Sequence, residues 1–258
     1  MNYKIRYVKS GEGDRHVLFI HGLGGSAESW IYNIDVFAKY FHVFAPDLLG
    51  FGKSDKPKIR YDMKTFINFV TTFMDSVEIR KTHVVGSSLG GQIAAEFALS
   101  FPERVKKLVL VSPAGIPPKS FKGTAELKKY VKVLNAKDPD DVRKALAPID
   151  SNSSVITEDY VKSVYEYVMM PGTRHAFLSS LQESAKAQRL ANRLKAIKAQ
   201  TFVVWGKHDN LIPIKYCEPF VTKMENCRLL LIEKCGHRPH AEKAPVFNQA
   251  VMDFLKEN

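Results

Sequence analysis

Thr82-His83-Val84-Val85-Gly86-Ser87-Ser88-Leu89-Gly90-Gly91-Gln92-Ile93-Ala94-Ala95 is the stretch around which this 258-residue chain is organised. His83–Val85 reads as a short apolar strand, and Gln92–Leu99, with its Ala and Phe packing residues, as a helix. Between them Gly86-Ser87-Ser88-Leu89-Gly90 spells Gly-x-Ser-x-Gly, with Ser88 in the central place. A strand that becomes a helix within one residue forces that residue into a strained conformation, and only small residues two before and two after it let strand and helix approach. Such a turn lifts the hydroxyl clear of the backbone. It also aims the amide of Leu89 and the positive end of the helix at whatever the serine attacks. The pattern alone is weak, since glycine turns often carry serines; the strand before and the helix after give it context. Ser88 is therefore the candidate nucleophile, and Ser87 reads as a buried neighbour.

Upstream, Val17–Ile20 is a continuous apolar run, as expected of a strand buried on both faces. It ends in His21-Gly22-Leu23-Gly24-Gly25. Ser26–Tyr40 has helical spacing, His42–Ala45 reads as the next strand, and Pro46–Asp55 as a turn-rich loop. Met63–Val77 is an amphipathic helix, and after the serine segment Val105–Val111 is another strand. The N-terminal MNYKIRYVKSGEGD alternates like an edge strand. Alternation of this kind over residues 1–115 predicts a mostly parallel, doubly wound α/β sheet.

The rhythm breaks between 116 and 195. Helices with start signals are expected there at Asp140–Leu146, Glu158–Met170 and Arg174–Arg189, punctuated by Pro117, Pro118, Pro148 and Pro171. This is a helical insertion, expected over the carboxyl ends of the strands. Residues 196–258 resume the alternation: strand Thr201–Trp205, helix Ile214–Met224, strand Arg228–Ile232 and closing helix Ala244–Lys256.

A serine hydroxyl needs a base within hydrogen-bond reach, itself oriented by a carboxylate. Doubly wound sheets place such groups in the loops after their strands. The loop after Thr201–Trp205 offers Asp209, and the loop after the last strand offers His237. Ser112-Pro113-Ala114, after the strand that follows the serine helix, offers no carboxylate.

With these residues in order, the chain resembles the α/β-hydrolase superfamily, in its subgroup with a helical cap. The resemblance spans most of the chain: His21-Gly22, Asp47-x-x-Gly50-x-Gly52-x-Ser54, the serine turn, Trp205-Gly206-x-x-Asp209 and Gly236-His237-x-Pro239-x-x-Glu242. It implies an α/β-hydrolase fold in which Ser88 attacks, His237 is base and then acid, and Asp209 holds the histidine tautomer. It further implies an oxyanion hole from the amides of Leu23 and Leu89, with His21 ordering that loop and Asp47 holding a turn. His208 and His240 fall where the family pattern is free and are expected at the surface. A serine in place of an aspartate nucleophile argues against dehalogenases and epoxide hydrolases of the same fold.

The reaction expected is hydrolysis of small-molecule carboxylic esters with small to medium acyl chains through a Ser88 acyl-enzyme. Phe121, Tyr130, Tyr160, Tyr165, Tyr167, Met169, Met170 and Phe177 are candidates for an apolar pocket, with Tyr130, Tyr165, Met169 and Phe177 foremost. The rival enzyme reading is carbon–carbon bond hydrolysis of dienone acids. Ile156-Thr157-Glu158-Asp159 and Pro171-Gly172-Thr173-Arg174 are similar to the cap of the meta-cleavage product hydrolases, and Arg174, Arg189 and Arg193 are candidates for holding a substrate carboxylate. Against it, HGLGG lacks the Gly-Pro-Gly frequent in that group. A non-turnover ligand receptor on the same fold is the alternative from another class.

The net charge of +11 raises nucleic acid as a partner. The lysines are spread out, densest at Lys119–Lys132, with no aromatic-interleaved basic motif, so a solvated surface is the expectation and no nucleic acid is expected. No apolar run reaches the ~20 residues of a membrane span, and the N-terminus lacks a secretory pattern; the expectation is a cytoplasmic monomer or homodimer. Cys217, Cys227 and Cys235 lack metal-like spacing and read as free thiols. No metal and no cofactor is expected.

Overall fold

The computed structural model describes residues 3–117, 123–151 and 153–257. Seven strands form one sheet: β1 (Tyr7–Ser10), β2 (His16–Ile20), β3 (His42–Pro46), β4 (Thr82–Ser87), β5 (Val105–Val111), β6 (Gln200–Gly206) and β7 (Cys227–Ile232). Their order is β1-β3-β2-β4-β5-β6-β7. Only β1 is antiparallel, pairing Tyr7 with Pro46 on β3; the other five pairings are parallel. From β2 the chain steps outward to β3 and then crosses back to β4 on the other flank. Strand order therefore reverses between β2 and β4, where Ile20 lies beside Gly86. The loops leaving these two strands flank the crevice that such a reversal opens.

Among the described residues ten α-helices accompany the strands: α1 (Ile34–Ala38), α2 (Met63–Ser76), α3 (Leu89–Ser100), α4 (Ala125–Val131), α5 (Pro139–Leu146), α6 (Glu158–Met169), α7 (Thr173–Lys186), α8 (Glu218–Lys223), α9 (Pro239–Glu242) and α10 (Ala244–Lys256). Side chains alternate across a strand, and here alternate residues feed two separate cores. Val17, Phe19, Val43, Val85, Val109 and Val204 pack with Trp30, Phe37, Phe247 and Val251, so α1 and α10 cover that face. Leu18, Ile20, Phe44, Val84, Leu108 and Trp205 pack with α2, α3 and α8 on the other. That second core continues without a break into Val133, Val142, Val161 and Phe177 of the segment between β5 and β6.

Among its described residues the segment contains no strand; its regular elements are α4–α7 and short 3-10 turns. It contains α4, which the sequence reading did not anticipate. Asp138 and Thr157 cap α5 and α6 through their side chains. Thr173, just ahead of the helix expected from Arg174, is itself the first residue of α7; Gly172 at φ +89° precedes it, and Thr173 donates its hydroxyl to Tyr167 O. Ser26–Tyr40 is not one helix but a 3-10 turn, Ala27–Trp30, followed by α1. Asn33 interrupts it by donating Nδ2 to His240 O and Asn248 Oδ1. Ile214–Met224 also divides, into a 3-10 turn and α8, with Pro219 in the first turn of the helix.

No helix among the described residues is long and apolar enough to cross a membrane.

Candidate active site

Ser88 lies at the join of β4 and α3 with φ 55° and ψ −117°, a left-handed conformation rare for a residue with a Cβ. Its neighbours are glycine for a steric reason. A Cβ on Gly86 would fall 2.2 Å from Gly90 O, and one on Gly90 would fall 2.2 Å from Ile20 O. The turn is pinned by Ser88 N donating to Val111 O (2.9 Å) and Ala114 N donating to Ser88 O (2.9 Å). Ser87 is buried, whereas Ser88 is half-buried and lines a cavity of about 370 Å³. Leu89 is the first residue of α3, so its amide has no acceptor within the helix.

Leu23 follows β2 and lines the same cavity. Its loop is held by Gly25 N donating to Gly22 O and by His21, whose Nδ1 lies 2.8 Å from Gly22 O. His21 Nε2 accepts from Leu48 N at 2.9 Å, so the ring is neutral with its proton on Nδ1. Burial lowers the pKa of His21 and keeps it so. Asp47, fully buried, accepts from the amides of Ala27 and Lys53 and from Arg6, and a Cβ on Gly52 would strike its carboxylate. It holds the turn after β3.

Asp209 Oδ1 accepts the amides of Leu211 and Ile212, both at 2.9 Å, and Oδ2 lies 2.8 Å from His237 Nδ1. A carboxylate on Nδ1 fixes the tautomer that leaves Nε2 free as a base. Burial lowers the pKa of His237, but the charge and hydrogen bond of Asp209 outweigh it, with Asp150 adding to them and Arg238 opposing; the net shift is upward. His237 and Ser88 line the same cavity, without a direct hydrogen bond between them among the described residues.

The cavity wall is otherwise largely apolar: Leu89, Leu127, Leu181, Ala185, Leu211 and Ile212 among others, with Gln182, Ser184 and Arg189 as polar members. Arg189 donates Nε to Ile116 O and has no acidic partner among the described residues. A second cavity of about 70 Å³ also touches Ser88 and His237 and is lined by Tyr130, Tyr160, Arg238 and His240.

Several expectations need correction. Of the four foremost pocket residues, only Tyr130 lines either cavity. Phe177 is buried behind the wall against Tyr130, with ring centroids 5.7 Å apart. Tyr165 turns its hydroxyl to Lys137 O, and Met169 is 58% exposed on the outer side of α6. Phe121 lies outside the described residues. His208 is exposed as expected, but His240 is 1% exposed, its ring centroid 4.3 Å from that of Trp30 and tilted by 37°, and burial keeps its pKa well below the usual value. Arg174 binds Leu134 O and Asn135, and Arg193 is paired with Glu96; of the three arginines only Arg189 reaches the cavity. No group of three or more potential metal ligands occurs among the described residues.

The family model described as "alpha/beta hydrolase fold" matches residues 15–244. Over 98% of its length the chain is 31% identical to 92% of the 2-hydroxy-6-oxononadienedioate/2-hydroxy-6-oxononatrienedioate hydrolase of Comamonas testosteroni. It is 30% identical, over 98% of its length, to a dihydrolipoyllysine-residue acetyltransferase component of the acetoin cleaving system from Cupriavidus necator, of which it spans 66%. The meta-cleavage product hydrolase of Pseudomonas fluorescens, solved in complex with acetates, superposes with a TM-score of 0.86 at 28% identity, covering 98% of this chain and 94% of that one. The chain belongs to the α/β-hydrolase superfamily.

Proposed function

We propose that the protein is a serine hydrolase that cleaves carboxylic esters, with Ser88 as nucleophile, His237 as base and acid, and Asp209 as the group that orients the histidine. The observation carrying this reading is the Asp209–His237 pair opening onto a cavity that is also lined by the strained Ser88. Ser88 Oγ attacks the ester carbonyl and gives its proton to His237 Nε2. The resulting oxyanion accepts hydrogen bonds from the amides of Leu23 and Leu89. Collapse expels the alcohol, which takes the proton from His237; water then repeats the sequence on the acyl-enzyme. Contact between Ser88 and His237 tightens when substrate fills the cavity, as is common for catalytic hydrogen bonds in unliganded enzymes.

Residues 116–195 act as a cap in this reading. Tyr130 reaches the loop of Leu23 and Ser184 reaches Gln92 on α3, so the segment lies over the nucleophile and keeps water from the oxyanion. The largely apolar wall suits an uncharged acyl or alcohol group, while the small cavity suits a short limb on the other side of the carbonyl.

Carbon–carbon hydrolysis of a dienone acid is the second reading. It is favoured by the names of two relatives and by Arg189, a cavity cation without an acidic partner among the described residues. Against it, the cation of the smaller cavity, Arg238, is already paired with Asp150. Turnover of p-nitrophenyl esters from acetate to laurate, measured beside a dienone acid, separates the two. Multiple turnover of esters with no loss of the dienone chromophore is the expected result. Dienone cleavage at a kcat/KM well above that of every ester would establish the second reading, and binding without turnover of either would mark a receptor.

A further inference from the structure

Residues 116–195 supply none of Ser88, Asp209 or His237, yet they hold both loops that frame the nucleophile. On one side Tyr130 of α4 donates its hydroxyl to Leu23 O at 2.6 Å. Its ring stands so close that a Cβ on Gly24 would lie 2.5 Å from Tyr130 Oη and 2.8 Å from Phe177. The loop carrying the Leu23 amide thus rests on a buried phenol from the insertion. On the other side, the run Ile149–Ser151 grips the loop of His237. His237 N donates to Ile149 O at 3.1 Å. Arg238 Nε donates to both oxygens of Asp150, at 2.9 and 3.1 Å, and Arg238 Nη2 donates to Asp150 Oδ2. Glu242 Oε2 accepts from Ser151 N and Oγ, and the same carboxylate accepts from Gly236 N. The Asp150 side chain is fully buried and that of Arg238 nearly so, with Tyr160 stacked 4.7 Å from the guanidinium.

A buried ion pair is seldom kept for stability alone, because desolvation offsets most of its attraction. Its position here, one residue from His237 and between two parts of the chain distant in sequence, points to placement. We propose that Tyr130 and Asp150 are positioning residues, the first setting the Leu23 amide and the second, through Arg238, setting His237, so that the site is assembled only when the insertion is seated. This rests on the serine hydrolase reading given above.

Among the described residues, the charged and titratable groups around His237 are Asp209 in the loop after β6, Asp150, Tyr130 and Tyr160 in the insertion, and Arg238 and His240 around α9, with Glu242 acting on Arg238. Of these, the charges of Asp209 and Asp150 raise its pKa and that of Arg238 lowers it. Removing the Asp150 charge takes away one of the two carboxylates that oppose Arg238 there and leaves Asp209 alone, so protonation of His237 moves to lower pH.

The test is steady-state kinetics of Tyr130→Phe and Asp150→Asn on the best p-nitrophenyl ester, with thermal melts of each. Tyr130→Phe is expected to lower kcat by about 10- to 100-fold, the scale of small misplacements, with KM and the acid limb of kcat/KM unchanged. Asp150→Asn is expected to lower kcat and move the acid limb to lower pH. Should Asp150→Asn melt below the assay temperature, Asp150→Asn/Arg238→Gln removes both charges together and is expected to fold, with kcat still reduced. Folded variants with wild-type kcat and an unmoved acid limb would overturn the inference. Ser88→Ala and His237→Ala run in parallel: activity surviving in either would overturn the underlying reading, whereas their loss beside unaffected Tyr130→Phe and Asp150→Asn would overturn this inference alone.

Discussion

His237 sits between opposing influences, burial lowering its pKa and the Asp209 carboxylate raising it, with the carboxylate prevailing. A base must be neutral to accept the serine proton, so kcat/KM should rise with pH through an apparent pKa above the ordinary histidine value of 6.5 and then level off. Asp209→Asn should move that limb to lower pH and cut kcat by about 10⁴-fold, because the ring loses its fixed tautomer. An acid limb below 6.5 in the wild type, or activity flat across the histidine range, would count against His237 as the base. Ser88, Asp209 and His237 of the candidate site were legible because each stands at the end of a strand pattern and in a short motif. His240 was not: three residues beyond His237, it is buried by Trp30 and Phe247, partners that no local pattern connects to it.

At the scale of elements, the β4–α3 join depends on the absence of two side chains. Gly90→Ala would place a methyl 2.2 Å from Ile20 O and 2.4 Å from His21 O, backbone atoms of β2 and the loop that follows it. Neither can yield without shifting β2, so the substitution should destabilise the protein by about 1–3 kcal/mol, read by chemical denaturation, and lower kcat because Leu23 follows the displaced carbonyls. An unchanged denaturation midpoint would show that the join tolerates a Cβ. The strands were legible because β2, β5 and β6 contain the continuous apolar runs Val17–Ile20, Leu108–Val111 and Phe202–Trp205, and because β4 carries Val84-Val85 directly before the Gly-x-Ser-x-Gly turn. The short helices were less so. In α4, Lys128 and Lys129 read as surface charge and Tyr130 is the one buried member. For α7, periodicity announces a buried face but not what it meets: Phe177 enters the core, while Leu181 and Ala185 line the cavity.

In the whole molecule, strand reversal between β2 and β4 sets the loop of Leu23 beside the turn of Ser88, while β6 and β7 deliver Asp209 and His237 from the same sheet end. The insertion contributes most of the remaining cavity wall. The parallel sheet and its insertion followed from the order of apolar runs. Which insertion residues face Ser88 did not, because that depends on how α4 and α7 pack across a distance of chain that no spacing encodes. The central claim, that Ser88 is the nucleophile activated by this arrangement, is tested most directly by a fluorophosphonate label located by peptide mass spectrometry. The predicted result is a single adduct on Ser88 that persists in Ser87→Ala and disappears in Ser88→Ala and, at equal labelling time, in His237→Ala. An adduct on Ser87, or ester turnover that survives Ser88→Ala, would contradict it.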